Sequence, residues 1–175
     1  MAHRDIEQVI IGCKKGDEAC FAQLVDIYSG RCFGYFYRLT GNRDLSEELL
    51  SELFAKLVEK ISSYRGGSFN GWVFTMAANI FRDHLRFKQR QTRLLDEHSK
   101  RIMLQSAGAG DNENHDSDKL QIALSELDEE VRELILMRFY SQMSFKEISE
   151  SRREPIGTTL SKVHRGLKRL RELME

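Results

Sequence analysis

Only one proline interrupts this 175-residue chain, Pro155, and it stands between two stretches that read as amphipathic helices. In a helix interior a proline lacks the N–H and clashes with the preceding turn, so Pro155 must lie in a break. Before that break, Ser144 followed three residues later by Glu147 is a capping box, which satisfies two orphan donors and starts a short helix. After it, Gly157 reads as a permissive turn residue, with Thr158 or Thr159 as the cap of a second helix. That second helix is apolar at Leu160, Val163, Leu167 and Leu170 and basic at Lys162, Arg165, Lys168, Arg169 and Arg171. A short helix, a tight turn and a basic helix form a helix-turn-helix, whose second helix fits the DNA major groove.

The rest of the chain is free to be helical. With one proline and a composition rich in Arg, Lys, Glu and Leu, a β-rich architecture or a Pro-rich linker is disfavoured and an all-α fold expected. At 41% hydrophobic content there is enough apolar side chain for packed cores. Ile6, Val9, Ile10 and Cys13 recur at helical spacing over Asp5–Lys15. Asp17 then caps a second helix, which carries Phe21, Leu24, Val25, Tyr28, Cys32, Phe33, Tyr35, Phe36 and Leu39 and ends at Gly41. Asp44 opens a third, with Leu45, Leu49, Leu50, Leu53, Phe54, Leu57, Val58 and Ile61 on a broad apolar face. A loop over Ser62–Ser68 precedes a fourth helix from about Phe69 to Gln91, in which Trp72 and Phe74 belong to the core. From Ser106 to Asp118 the chain is small, polar and acidic, and cannot bury enough apolar surface to offset its ordering entropy. That segment reads as a flexible linker. Thirteen extended residues reach roughly 45 Å, more than one turn of B-DNA at roughly 34 Å. Helices over Lys119–Leu127 and Asp128–Tyr140 then lead into the helix-turn-helix.

The net charge is zero, so any affinity for nucleic acid must come from the distribution of charge. Bases cluster at Arg82–Arg101 and Arg152–Arg171, whereas Asp44, Glu47, Glu48, Glu52 and Glu59 crowd one helix around Lys56. Two basic surfaces and one acidic helix suggest two nucleic-acid contacts and a separate protein contact. Cys13, Cys20 and Cys32 lack metal spacing, and an odd count argues against a disulfide framework, so reduced cytosolic thiols are expected. No two of the five His residues stand at the i, i+4 spacing of a helical metal site, and no metal or other cofactor is expected. Nothing reads as a signal leader or membrane span, and a soluble, unexported protein is expected.

Two stretches together resemble a known family. Ala77-Ala78-Asn79 with Asp83 and Arg86 after Trp72, preceded by Asp44-Leu-Ser-Glu-Glu-Leu-Leu-Ser-Glu-Leu-Phe, looks like region 2 of bacterial sigma factors. Glu147-Ile148 and Pro155-Ile-Gly-Thr-Thr-Leu-Ser-Lys-Val-His-Arg-Gly-Leu looks like their region 4. With two regions and a linker, the chain is similar to the extracytoplasmic-function group. The resemblance implies two small helical domains: residues 1–95 for core polymerase and the −10 element, a linker over 96–118, and residues 119–175 for the −35 element. It departs from the family at Leu160, where Lys or Arg is common, and at Ser51, where Gln is usual.

By this resemblance the third helix docks on the β′ coiled coil of core RNA polymerase through Asp44, Glu48, Glu52, Leu53 and Phe54, and the β flap is a further contact. Charge complementarity there would set register and on-rate. The loop and fourth helix would open the −10 element. Melting needs stacking energy replaced, which points to Tyr64, Phe69, Asn70 and Asn79 for bases and Arg82, Arg86, Lys88 and Arg90 for phosphates. Phe69 is open between base contact and core. For the −35 element the candidates are Ser161, Lys162, His164 and Arg165 near base edges, with Lys168 and Arg169 on the same basic face. Thr158 and Thr159 stand at a helix N-terminus and Arg152 and Arg153 in the turn, all facing phosphate. An anti-sigma factor, often membrane-anchored, is also implied.

The implied function is transcription initiation without a catalytic centre. A conventional dimeric helix-turn-helix regulator explains the C-terminus equally well. It leaves the acidic helix, the Tyr/Phe/Asn loop and the basic fourth helix without a role. An enzyme is disfavoured because no HExxH, glycine-rich nucleotide loop or supported carboxylate pair occurs.

Overall fold

The computed structural model describes residues 3–98 and 115–175, and the regular structure there is helical throughout. Residues 99–114, most of the expected linker, lie outside the described residues. The first half comprises α1 (His3–Lys14), α2 (Glu18–Thr40), α3 (Arg43–Lys60), a 3₁₀ turn (Ile61–Ser63) and α4 (Phe69–His98). The second comprises α5 (His115–Ser125), α6 (Glu129–Ile135) with a widened π-helical turn (Leu136–Tyr140), α7 (Phe145–Arg152) and α8 (Ile156–Met174). Helix α4 runs past the expected end at Gln91, because no proline or glycine follows to stop it.

Helix α2 is the spine of the first half. The Asp17 carboxylate accepts from the N–H groups of Ala19 and Cys20 at 2.9 and 3.3 Å, and Gly41 closes the helix in the left-handed conformation. Leu24, Tyr28, Cys32, Tyr35, Phe36 and Leu39 form a buried stripe along it. Asn42, rather than Asp44, caps α3, its Oδ1 accepting from Leu45 N at 2.9 Å. Leu49, Leu53 and Leu57 of α3 and Val73, Phe74, Ala77, Ile80 and Phe81 of α4 complete the core. Each fully buried Leu or Phe contributes about 1.5–3 kcal/mol relative to exposure. Tyr35 meets Phe74 edge to face at 5.4 Å, and Tyr28 meets Phe69 at 5.7 Å. The face of α3 is narrower than expected, since Val58 is exposed.

In the second half, α8 crosses α6 at Gly166, where a Cβ would overlap Val131 Cγ1. The capping box is present: Ser144 Oγ accepts from Glu147 N, and the Glu147 carboxylate accepts from Ser144 N at 2.7 Å. Arg153, not Gly157, supplies the left-handed turn residue, at φ 54°. Pro155 itself is the N-cap of α8, so Thr158 and Thr159 lie inside its first turn instead of capping it. Proline's fixed φ suits that entry, and the turn is over before Gly157 is reached.

The two halves also pack on each other and share one apolar cluster. The Arg132 guanidinium ties the seam, donating to the carbonyls of Leu124 at 2.6 Å, Ser125 at 2.9 Å and Leu127 at 3.0 Å, and across to Leu39 O at 2.7 Å. These carbonyls lie at or just past the C-terminal ends of α5 and α2, where few intrahelical donors remain and a cation also opposes the helix dipole.

Candidate nucleic-acid and partner surfaces

Helices α7 and α8 have helix-turn-helix geometry. Ile148, Val163 and Thr159 are buried in the joint. Ser161, His164, Arg165, Lys168 and Arg169 stand exposed along α8, as the sequence predicts, and Arg153 is exposed in the turn. Three other expected contacts are occupied. Thr159 has no exposed surface, and its Oγ1 donates to Glu154 Oε1 at 2.8 Å. Lys162 Nζ is shared between Glu130 Oε1 at 2.8 Å and Glu154 Oε2 at 2.7 Å. Arg152 is paired with both Glu130 and Glu133. Thr158 is half-buried.

This pairing shifts the carboxylates. The hydrogen bond from Lys162 holds Glu130 below the usual range. Burial pushes Glu154 up, but bonds from Lys162 and Thr159 outweigh it, and its carboxyl also lies low. Glu133, only 3% exposed at its side chain, is pushed up by burial against the downward pull of Arg82 and Arg152.

On α4 the expected −10 residues divide. Asn79, Arg86, Lys88 and Arg90 are exposed. Arg86 is paired with Asp83 at 3.2 Å, and Lys88 lines a hollow that Glu129 of the second half also borders. Nine residues separate Asn79 from Lys88, about two and a half helical turns, so the two do not share a face. Arg82 is turned inward, its Nε 3.1 Å from Glu133 Oε1. Asn70 Nδ2 donates to the Ser141 carbonyl at 2.6 Å.

Tyr64 and Phe69 pack mostly into the core here, and only a small edge of each ring reaches the hollow that they line with α1. Phe69 is buried, and Tyr64 packs edge to face on it at 5.1 Å and tilted against Trp72 at 5.3 Å. Tyr64 Oη donates to Gly67 O at 2.7 Å, and Lys14 Nζ donates to Tyr64 O at 2.7 Å, pinning the loop to α1.

Helix α3 presents Asp44, Glu48 and Glu52 to solvent, with Glu52 2.7 Å from Lys56. Leu53 is fully buried and packs the core instead of a partner; Phe54 is half-buried beside the stripe. The leucine's spacing from Leu49 and Leu57 places it on the inward face.

Arg132 and Glu133 were not predicted to matter. The one signal was local: Glu133 lies four residues before Met137, a fully buried position. A carboxylate on such a face demands a basic partner, but the sequence does not say which.

The fold is that of a two-region helical protein ending in a helix-turn-helix, the class of a DNA-reading factor. Residues 24–91 match the family model described as Sigma-70 region 2, and residues 117–170 match Sigma-70, region 4. The chain belongs to the sigma-70 family of RNA polymerase sigma factors, in its extracytoplasmic-function group. It is 30% identical over 166 residues to the extracytoplasmic-function sigma factor SigE of Mycolicibacterium smegmatis, covering 91% of this chain and 64% of that protein's length. It is 30% identical over 162 residues to the sigma factor CarQ of Myxococcus xanthus, covering 92% of both. In fold it is similar, at TM-score 0.75 and 24% identity, to the sigma factor RpoE of Bartonella quintana, solved in complex with the anti-sigma factor NepR; the match covers 88% of this chain and 96% of that one.

Proposed function

We infer that this chain is a transcription initiation factor, which binds core RNA polymerase, directs it to particular promoters and assists their melting. The observation that carries this reading is the presence of both family regions, in order, on one chain that ends in a helix-turn-helix. In the proposed arrangement residues 1–95 form the polymerase and −10 body, 96–118 the linker and 119–175 the −35 body. The exposed carboxylates Asp44, Glu48 and Glu52 face a basic polymerase surface, with Phe54 as the apolar contact beside them. Asn79, Arg86 and Arg90 line the −10 side. Arg165, His164 and Ser161 read the −35 side, with Lys168, Arg169 and Arg153 on phosphates.

The chain supplies binding energy and positioning, and polymerase supplies the chemistry. It acts in the cytoplasm, where its template and polymerase are; no helix among the described residues is long and apolar enough to cross a membrane. An anti-sigma factor is a proposed partner, by analogy with the complex of the Bartonella quintana protein. Thiol sensing has little support, since burial pushes Cys32 up to about 12 and Cys13 above its ordinary value.

The test is in vitro transcription with core polymerase on a genomic template library, followed by mapping of start sites. The reading requires that added protein produces a defined set of starts sharing upstream elements. Tight operator binding as a dimer, with no effect on polymerase, would overturn it.

A further inference from the structure

The second helix of a helix-turn-helix meets base edges with its first residues. In this chain those residues have little polar reach to offer. Helix α8 starts at Ile156, and its first two turns run to Lys162. Thr159 is buried, its hydroxyl donating to Glu154 Oε1 at 2.8 Å. Lys162 Nζ is held by Glu130 Oε1 at 2.8 Å and Glu154 Oε2 at 2.7 Å, within the second region itself. Thr158 is half-buried. Ser161 is exposed, but its Oγ donates back to Gly157 O at 2.8 Å, so toward a base it can only accept. The side chains that reach furthest into solvent there are Ile156 and Leu160, exposed at 47% and 43%. Exposed nitrogen donors come only afterwards, at His164 and Arg165.

A single exposed leucine on a protein surface needs no explanation. This pair is not single. Ile156 and Leu160 stand four residues apart, so they are neighbours on the helix surface. Leu160 and His164 are spaced the same way, and the apolar strip runs on into the exposed polar face of α8. The joint inside is filled without the pair, by Thr159, Val163 and Gly166. Leu160 follows Thr159 by one residue, about 100° round the helix, so the phase that buries the threonine turns the leucine out. Between Ile156 and Leu160, Gly157 carries no side chain, and a Cβ there would meet open space. The start of α8 can therefore approach another surface closely.

The charge on the helix says what that surface is. From Pro155 to Arg171 there is no acid, whereas Lys162, Arg165, Lys168, Arg169 and Arg171 are basic. Such a helix fits a polyanion, and the apolar strip has to find its contact there. In the major groove one group answers, the C5-methyl of thymine, the apolar group among the base edges. A G·C pair presents N7, O6 and an amino group instead, and a leucine laid over them would leave them without hydrogen bonds. We propose that Leu160, with Ile156 beside it, packs on the C5-methyl of a thymine in the upstream promoter element and so selects thymine at that position. This rests on the initiation-factor reading and names a base for its −35 side. His164 and Arg165 face the bases reached by the next turn, and Lys168, Arg169 and Arg153 lie against phosphates.

The test uses holoenzyme assembled from full-length chain and core polymerase. Start-site mapping on a genomic template library gives the upstream element. Each thymine in that element, on either strand, is then replaced singly by deoxyuridine, which pairs identically and lacks only the methyl. Holoenzyme affinity for each duplex is measured with wild type, Leu160→Ala and Leu160→Met. Leu160 is exposed and alanine is the best helix former, so the alanine variant keeps α8 intact, which circular dichroism checks. One deoxyuridine is expected to weaken wild-type binding about four-fold, the worth of one buried methyl. Leu160→Ala should lose a comparable factor on the thymine duplex and be indifferent to that deoxyuridine. Leu160→Met should keep the dependence, because its side chain is also apolar and adaptable. Deoxyuridine that is neutral at every position in wild type would overturn the contact. So would equal sensitivity in wild type and Leu160→Ala, which would set the methyl against another side chain. Absence of any defined start would strike the initiation-factor reading and take this contact with it. Defined starts whose upstream element holds no methyl-dependent thymine would strike the contact alone.

Discussion

Arg82 of α4 and Glu133 of α6 meet across the seam between the two regions, Nε to Oε1 at 3.1 Å, with the carboxylate almost wholly out of solvent. The pair exists only because the regions touch, and Arg152 makes it a triad. Removing one member of a buried ionic set is costlier than the set is worth, because it leaves charge uncompensated. Glu133→Ala is therefore expected to destabilise the chain by about 3–5 kcal/mol, and Glu133→Gln by less, since an amide oxygen still accepts. Urea denaturation at neutral pH checks the order.

The acidic stripe of α3 should behave in the opposite way. Asp44, Glu48 and Glu52 are exposed, and their one ion pair is the exposed i, i+4 contact with Lys56. Replacing all three with Lys is expected to change stability by no more than about 0.5 kcal/mol per site and to abolish binding to core polymerase. Unfolding curves beside a polymerase pull-down separate the effects. A triple mutant that transcribes normally would count heavily against the proposed docking surface.

Much of this was legible before the structure. Periodicity exposed the helices because each apolar stripe is a local property: Leu24, Tyr28, Cys32 and Phe36 lie within one helix. Capping was legible for the same reason, as at Asp17 and at Ser144 with Glu147. The turn was misread because φ depends on how the chain must swing between α7 and α8, and Arg153 carries that swing although glycine lies nearby. The partners of Arg82, Asn70, Arg152 and Lys162 were invisible, since they depend on contacts between residues distant in sequence. Leu53 is the case in which the signal was local: its four-residue spacing from Leu49 and Leu57 puts it on the inward stripe, against the partner contact implied by the family resemblance.

Acid should loosen the second region. Glu130 lies low chiefly through the Lys162 hydrogen bond; Glu154 lies low although burial pushes it up, because Lys162 and Thr159 donate to it. Folded values below unfolded ones mean stability that is present above the ordinary carboxylate pKa of about 4.3. It is lost as pH falls through the folded values. The urea midpoint is expected to drop between about pH 6 and about pH 3. Glu154→Gln should flatten part of that drop.

A single base contact can be tested on α8. Arg165 is exposed midway along α8, on the face proposed to meet the major groove. Arg165→Ala is expected to cost about 1–3 kcal/mol at the upstream element and to relax specificity at one base pair. Transcription from promoter variants in that element checks it. A uniform loss across all sequences would instead make Arg165 a phosphate contact.

Arg153 joins stability to function with opposite signs. It holds φ 54° at the end of α7, a left-handed conformation in which the Cβ of any L-residue is crowded. Its side chain is exposed in the turn, on the side proposed to meet phosphate. Glycine adopts that conformation without the Cβ penalty but is more flexible when unfolded. On balance Arg153→Gly is expected to stabilise the chain by about 1 kcal/mol and to weaken promoter binding equally across sequences, with a shallower dependence on salt by about one counterion. Arg153→Ala should lose the binding without gaining the stability. Thermal unfolding and a salt titration of holoenzyme binding test the two halves separately, and a glycine variant that is less stable than wild type would show that the arginine side chain holds the turn.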